Sequence, residues 1–158
     1  MLGPMSTVLL ATDGSDLATT AMARGVALLG PGHSFHALSV IPPAYVPAVA
    51  VAPMDSHPIV IDPTLEDEIE REDRAETSAD LAHLRDLLDV PVTPIVETGE
   101  PGPTICAVAS RMGAEVIVVG SHGHGWLQRV LLGSVSTHVL HHAPCAVLVM
   151  RLVEEPET

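Results

Sequence analysis

Five short apolar runs dominate this chain: Thr7 to Thr12, Ser34 to Ile41, Val92 to Val96, Val116 to Val119 and Cys145 to Met150. Each is apolar at nearly every position rather than at every second one. A strand of that kind has no solvent side, so it belongs in a parallel sheet with helices over both faces. The stretches between the runs carry helical spacing or helix punctuation. Strand alternating with helix predicts an α/β fold, a doubly wound five-stranded parallel sheet with right-handed crossovers.

Composition agrees with that core. Hydrophobic residues make up 47% of the 158 residues, yet the aromatics are only Phe35, Tyr45 and Trp126. Val, Leu, Ile and Ala must therefore fill the interior, as they do in parallel sheets. A chain this apolar offsets its ordering entropy by burial, which excludes intrinsic disorder. Its length is that of one domain, expected over residues 1–158.

The connections are punctuated in detail. Asp13-Gly14-Ser15 stops the first run, and Ser15 or Asp16 can cap a helix that ends at Gly30-Pro31-Gly32. Residues 42–63 hold six of the fourteen prolines, a density that predicts a long surface loop. Helical character returns from Thr64 to Leu88, with Thr64 as the cap and Asp67 at the capping-box position. Acidic residues crowd its first half and Arg71, Arg74 and Arg85 follow, which suits the helix dipole and reads as a solvated face. Pro101 and Pro103 open a third helix that stops at Gly113. A fourth is expected from Gly133 to His142.

Charge removes several functions. Seven Arg and no Lys stand against twenty Asp and Glu, a formal net charge of −13. Nucleic-acid and anionic-membrane surfaces need the opposite balance, so neither is an expected partner. Without Lys, a Schiff-base enzyme and a GxxxxGK[ST] phosphate loop are excluded. Cys106 and Cys145 have no CxxC or ligand spacing and read as buried free thiols of a reducing compartment. Residues 1–6 lack a basic or apolar leader region, and no run approaches the ~18 apolar residues of a membrane span. A cytoplasmic protein is expected.

Ligands of doubly wound sheets bind outside the carboxyl ends of the strands, where strand order reverses. Those ends are Asp13-Gly14, Ile41-Pro42, Thr98-Gly99 and the stretch from Gly120 to Gly125. The last reads Gly120-Ser121-His122-Gly123-His124-Gly125, then runs through Trp126 and Arg129 to Gly133-Ser134-Val135-Ser136. A glycine turn followed by a small-residue turn that opens a helix favours phosphate. The helix N-terminus exposes unpaired N–H groups, and glycine lets backbone approach an anion closely. The same glycines also serve tight turns, with Ser134 capping a helix, and spacing alone leaves that reading open. A dinucleotide fingerprint from Gly123 fails at Gln128, and no GxSxG elbow is present.

The chain resembles the universal stress protein family, whose nucleotide-binding members carry G-x2-G-x9-G-[S/T]. Gly120, Gly123, Gly133 and Ser134 fit that pattern without a gap. The likeness extends to Ala11-Thr12-Asp13-Gly14-Ser15, to Gly99-Glu100-Pro101 and to the closing run from Ala143 to Met150. It implies a Rossmann-like sheet of the adenine nucleotide alpha hydrolase type, strand order 3-2-1-4-5. It also implies ATP binding, with Ala11, Thr12 and Asp13 along the adenosine and the backbone of Val40 at the adenine edge. Val119, Gly120, Ser121, His122, Gly123 and Gly125 would follow ribose and phosphates. Gly133, Ser134, Val135 and Ser136 would hold the phosphate tail, with Mg²⁺ carried by the phosphates. Subunits would pair through Ala146 to Met150 as a homodimer, which would cover an apolar edge.

Net negative charge does not defeat this implication. Charges beyond about 8 Å are largely screened at physiological salt. Helix-terminus amides act at contact, each worth about 0.3–1 kcal/mol.

Other readings are weaker. His138 and His142 share a helix face, but no third ligand is evident, so no protein-borne metal site is assigned. Asp13, His122 and Ser134 could meet as a hydrolytic set, yet nothing shows a base in contact or an oxyanion hole. No catalytic residue is named, and slow ATP hydrolysis is the most enzymatic outcome expected. Trp126 is a lid or an anchor of its loop. The alternatives to an ATP-binding stress-response protein are a nucleotide-independent interaction module of the same fold and a sensor of AMP or cyclic AMP.

Overall fold

The computed structural model describes residues 5–43, 63–121 and 132–151. Its elements are β1 (Thr7–Ala11), α1 (Asp16–Leu29), β2 (Ser34–Ile41), α2 (Pro63–Leu87), β3 (Val92–Thr98), α3 (Pro101–Met112), β4 (Val116–Gly120), α4 (Ser134–His142) and β5 (Ala146–Met150). All neighbouring strands run parallel, in the order β3-β2-β1-β4-β5. The sheet is therefore five-stranded and doubly wound, as the apolar runs predict.

Alternation along each strand divides the core in two. Val8 and Leu10 on β1, Phe35 and Ala37 on β2 and Val116 and Val118 on β4 meet Ala21, Met22 and Val26 of α1 and Leu81 and Leu84 of α2. Their neighbours Leu9, Ala11, Leu38, Ile117 and Val119 point the other way, toward Ile105, Val108 and Ala109 of α3 and Val139 of α4. The central strands are almost fully inaccessible on both sides, and that explains why their sequence shows no period of two.

Local signals locate most boundaries, and the departures are instructive. Ser15, rather than Asp16, caps α1: its Oγ accepts from the Ala18 N–H at 3.1 Å. Gly113 takes the left-handed conformation (φ 65°) and ends α3. In contrast, α2 begins at Pro63, so Thr64 lies inside the helix instead of capping it, and Asp67 is not at the capping-box position. Proline at the first helical position loses nothing by lacking an N–H. The Pro-rich loop thus gives up its last residue to a helix, and residues 44–62 lie outside the described part. β3 runs on to Thr98 with Pro94 inside it, tolerable because β3 is an edge strand. β1 ends at Ala11 and β5 begins at Ala146, each one residue inside the expected run. Gly133 is the N-cap of α4 and Ser134 its first helical residue, so Ser134 does not cap. Cys106 and Cys145 are free, and half-buried rather than fully enclosed. Among the described residues no helix is long and apolar enough to cross a membrane.

Candidate functional site

The strand order reverses between β1 and β4, and the predicted residues gather at the carboxyl ends of those two strands and of β2. Ala11 stands in register with Leu38 on one side and Val119 on the other. Val40, two residues beyond Leu38, lies on the same face, which is the face covered by α3 and α4. Thr12 continues the sheet's bonding for one more step, its N–H donating to the Leu38 carbonyl at 2.9 Å.

The turn after β1 is braced from within. Asp13 Oδ1 accepts both the Ser15 N–H at 3.1 Å and the Ser15 hydroxyl at 2.6 Å. The Thr12 hydroxyl accepts the Gly14 N–H at 3.1 Å. Gly14 has φ +79°, a conformation that side-chain-bearing residues avoid. The exposed carboxylate of Asp13 is thus presented at the rim on a short, self-bonded turn. Sequence reasoning missed one contributor: Asp80 of α2 lies so close to this turn that a Cβ on Gly14 would sit 2.6 Å from its Oδ2. Nothing local in the sequence signals a contact across 66 positions of chain.

The second half of the site is built from the end of β4 and the start of α4. Ser121 donates its N–H to the Met150 carbonyl at 3.0 Å, which ties it to β5. Its own carbonyl accepts the Gly133 N–H at 2.9 Å. The Ser136 hydroxyl, buried, donates to the Gly120 carbonyl at 2.5 Å. These bonds bring the two ends of the glycine pattern, Gly120-Ser121 and Gly133-Ser134, side by side although twelve positions separate them. His122, Gly123 and Gly125 lie outside the described residues, as do His124, Trp126 and Arg129.

The start of α4 differs from that of α1. Gly133 offers no side chain to cap it, and Ser134 is exposed while Val135 packs on the core. The first N–H groups of a helix have no partner within it and carry the positive end of the dipole. Here the N-cap residue supplies no side-chain bond to them, and they lie at the switch point of the sheet beside the Gly120-Ser121 backbone. Among the described residues no group of three or more His, Cys, Asp or Glu forms a cation site.

Fold and rim together define a doubly wound α/β protein with the N-terminus of a helix at its switch point. Residues 5–151 match the universal stress protein family, and the chain belongs to that family. Among its relatives, universal stress protein Slr1101 of Synechocystis sp. is 46% identical over 52 residues, which is 33% of this chain and 48% of that protein. The chain spans 36% and 38% of the next two curated relatives. Among solved structures, hypothetical protein MJ0577 superposes with a TM-score of 0.77 at 23% identity, over 97% of this chain and all of the other. A universal stress protein in complex with cAMP gives 0.59 at 20% identity, over 94% and 98%. A family member from Arabidopsis thaliana with AMP bound gives 0.59 at 17%, over 96% and 94%. At these identities the structural likenesses establish the shared fold.

Proposed function

We propose that this chain binds an adenine nucleotide at the β1/β4 switch point and acts through binding rather than turnover, as a stress-response regulator. ATP is the favoured ligand, because the spacing of Gly120, Gly123, Gly133 and Ser134 matches the nucleotide-binding pattern in full. The observation that carries the proposal is the start of α4, with glycine at its N-cap, held against Gly120-Ser121 by the Gly133–Ser121 and Ser136–Gly120 bonds. In this reading Ala11, Thr12, Asp13 and Val40 line the adenosine end, and Val119 to Gly123 with Gly125 follow ribose and phosphates. The N–H groups of Ser134, Val135 and Ser136 face the phosphate tail, and Gly133, its own N–H bonded to Ser121, lets the backbone approach it closely. Mg²⁺ is held by phosphate oxygens and water, a coordination that suits this ion. Relatives solved with cAMP and with AMP support an adenine ligand, and each of those ligands carries a single phosphate.

Subunits pair through β5 in the same proposal. Ala146 is exposed and Val147 to Met150 are half-buried on an outer strand with no charge or proline to block pairing.

Thermal unfolding with Mg-ATP, AMP, cyclic AMP and GTP tests the site. A ligand at 100 times its Kd adds about 2.7 kcal/mol, and each kcal/mol moves a domain of this size by roughly 2–4 °C. A rise of several degrees with ATP, lost in Gly133→Val, is the expected result. A rise with AMP or cyclic AMP alone would reassign the ligand. No shift with any nucleotide, from folded protein freed of carried-over ligand, would overturn the proposal.

A further inference from the structure

The opposite end of α4 carries three histidines, His138, His141 and His142, and two of them are arranged in a way the nucleotide reading does not use. The rings of His138 and His142 stack with centroids 4.2 Å apart and planes 18° apart. His141 turns away, its ring 6.4 Å from that of His142 at 67°. His142 Nδ1 lies 2.9 Å from the His138 carbonyl oxygen. A carbonyl only accepts, so Nδ1 is the donor, and in the neutral ring Nε2 is the nitrogen with the lone pair, on a side chain exposed to solvent. Donating the other ring N–H to a backbone carbonyl is how metal-binding imidazoles are commonly oriented.

His138 is held as well. Its ring lies against Gly102 of α3 so closely that a Cβ there would sit 2.8 Å from its Cγ and 2.9 Å from its Cδ2. The neighbouring helix thus bounds one imidazole on one side, and a backbone bond orients the other. The carbonyl end of the helix adds negative potential.

We infer that His138 and His142 form a two-imidazole chelate for a borderline divalent transition metal of the Cu²⁺, Ni²⁺ or Zn²⁺ class. Imidazole nitrogens prefer these ions over Mg²⁺ or Ca²⁺, which take oxygen ligands. Residues one turn apart on a helix lie on the same side, so turning the His138 ring alone brings one of its nitrogens to a common point with His142 Nε2 while the His142 backbone bond is kept. No third His, Cys, Asp or Glu joins them among the described residues. The remaining coordination positions therefore belong to water or to an incoming donor, and the site is an open one.

The test is calorimetric titration of the untagged, metal-free full chain with nickel chloride, in the absence of nucleotide. One saturable site per chain is expected. Its affinity should fall at least ~10-fold in His142→Ala and separately in His138→Ala, the floor set by losses of orienting partners in metal sites. His141→Ala should bind as the parent does. His142 is exposed, so its variant keeps the readout even if His138→Ala weakens the α3–α4 contact. Absence of saturable binding overturns the inference, as does binding unchanged in His142→Ala, which would move the ion to other histidines. An equal loss in His141→Ala also overturns it, since the stacked pair would then not be the chelating unit. None of these outcomes bears on nucleotide binding.

Discussion

The two faces of the sheet solve the same covering problem differently. On one face α1 lies over β4 and β5 while α2 lies over β2 and β3, so each helix packs on strands of its own. On the other, α3 and α4 pack on one another as well as on the sheet. The difference shows at two glycines that permit close approach. Gly25 of α1 is set against Val118, which is fully buried in a central strand, and a Cβ there would meet Val118 Cγ1 at 2.7 Å. Gly102 of α3 is set against His138, a half-buried side chain on a helix. The first contact presses on a fully buried side chain of a central strand and the second on the base and ring of a half-buried side chain on a short helix. The α1/α2 face is therefore the rigid one, and the face that bears the proposed nucleotide and metal sites is the adaptable one.

The same substitution at both glycines measures this contrast. Overpacking a close-fitted interior typically costs 1–3 kcal/mol. Gly25→Val is expected to cost roughly 2–3 kcal/mol, and Gly102→Val about 1–2 kcal/mol, because relief there needs only a small shift of α4, which carries the His138 Cβ and ring, and not of a central strand. Urea denaturation with unchanged m-values would read the difference directly. Equal costs would show that the two faces are alike in rigidity and would remove the basis of the comparison.

The β1–α1 turn joins the rigid face to the rim, through Gly14 and Asp80. In Gly14→Ala the left-handed backbone costs about 1–2 kcal/mol on its own, and the new methyl also meets the Asp80 carboxylate. Asp80 is exposed and able to shift, so Gly14→Ala with Asp80→Ala should recover only the smaller, steric part. Full recovery in the double variant would mean that the contact, and not the backbone, sets the cost.

A smaller effect is expected where the adaptable face meets the rim. Ser136→Ala removes the bond to the Gly120 carbonyl and should cost about 1 kcal/mol. Because that bond pins the start of α4 to the end of β4, hydrogen exchange should accelerate in the first turn of α4 and leave α1 unchanged. Uniform acceleration across both helices would contradict the local role assigned to it.

How much of this was legible follows a physical divide. Strands announced themselves because burial on both faces forces continuous apolar runs. Ser15 and Gly113 were readable because a cap and a left-handed stop act through the residue itself. The glycine pattern also placed Gly120-Ser121 and Gly133-Ser134 together, since a strand end and the next helix start share one rim in a parallel sheet. What escaped was tertiary. Asp80 reaches Gly14 only because α2 is laid along the sheet, and the Gly102–His138 approach depends on how two helices cross. Thr64 has the chemistry of a cap, yet Pro63 begins the helix before it. Ser134 has that chemistry too, but Gly133 takes the position.

The smallest expected effect also separates the faces. Burial pushes the thiols of Cys106 and Cys145 up from the ordinary value of 9.0, and the charge of Cys106 raises Cys145 further. Both side chains pack against the core of the α3/α4 face. For an acid whose folded-state pKa is raised, the unfolded chain loses its proton first as pH climbs. The resulting stability is complete below about pH 9 and declines above it, through the raised folded values. Melting from pH 7 to 10.5 should show an alkaline fall that is reduced in Cys145→Ala relative to the parent. Exchange measured above pH 9 should quicken in α3 before α1, after correction for the intrinsic pH dependence of amide exchange. An alkaline fall untouched by Cys145→Ala, or one that opens α1 first, would place the sensitivity outside these thiols and count against an adaptable second face.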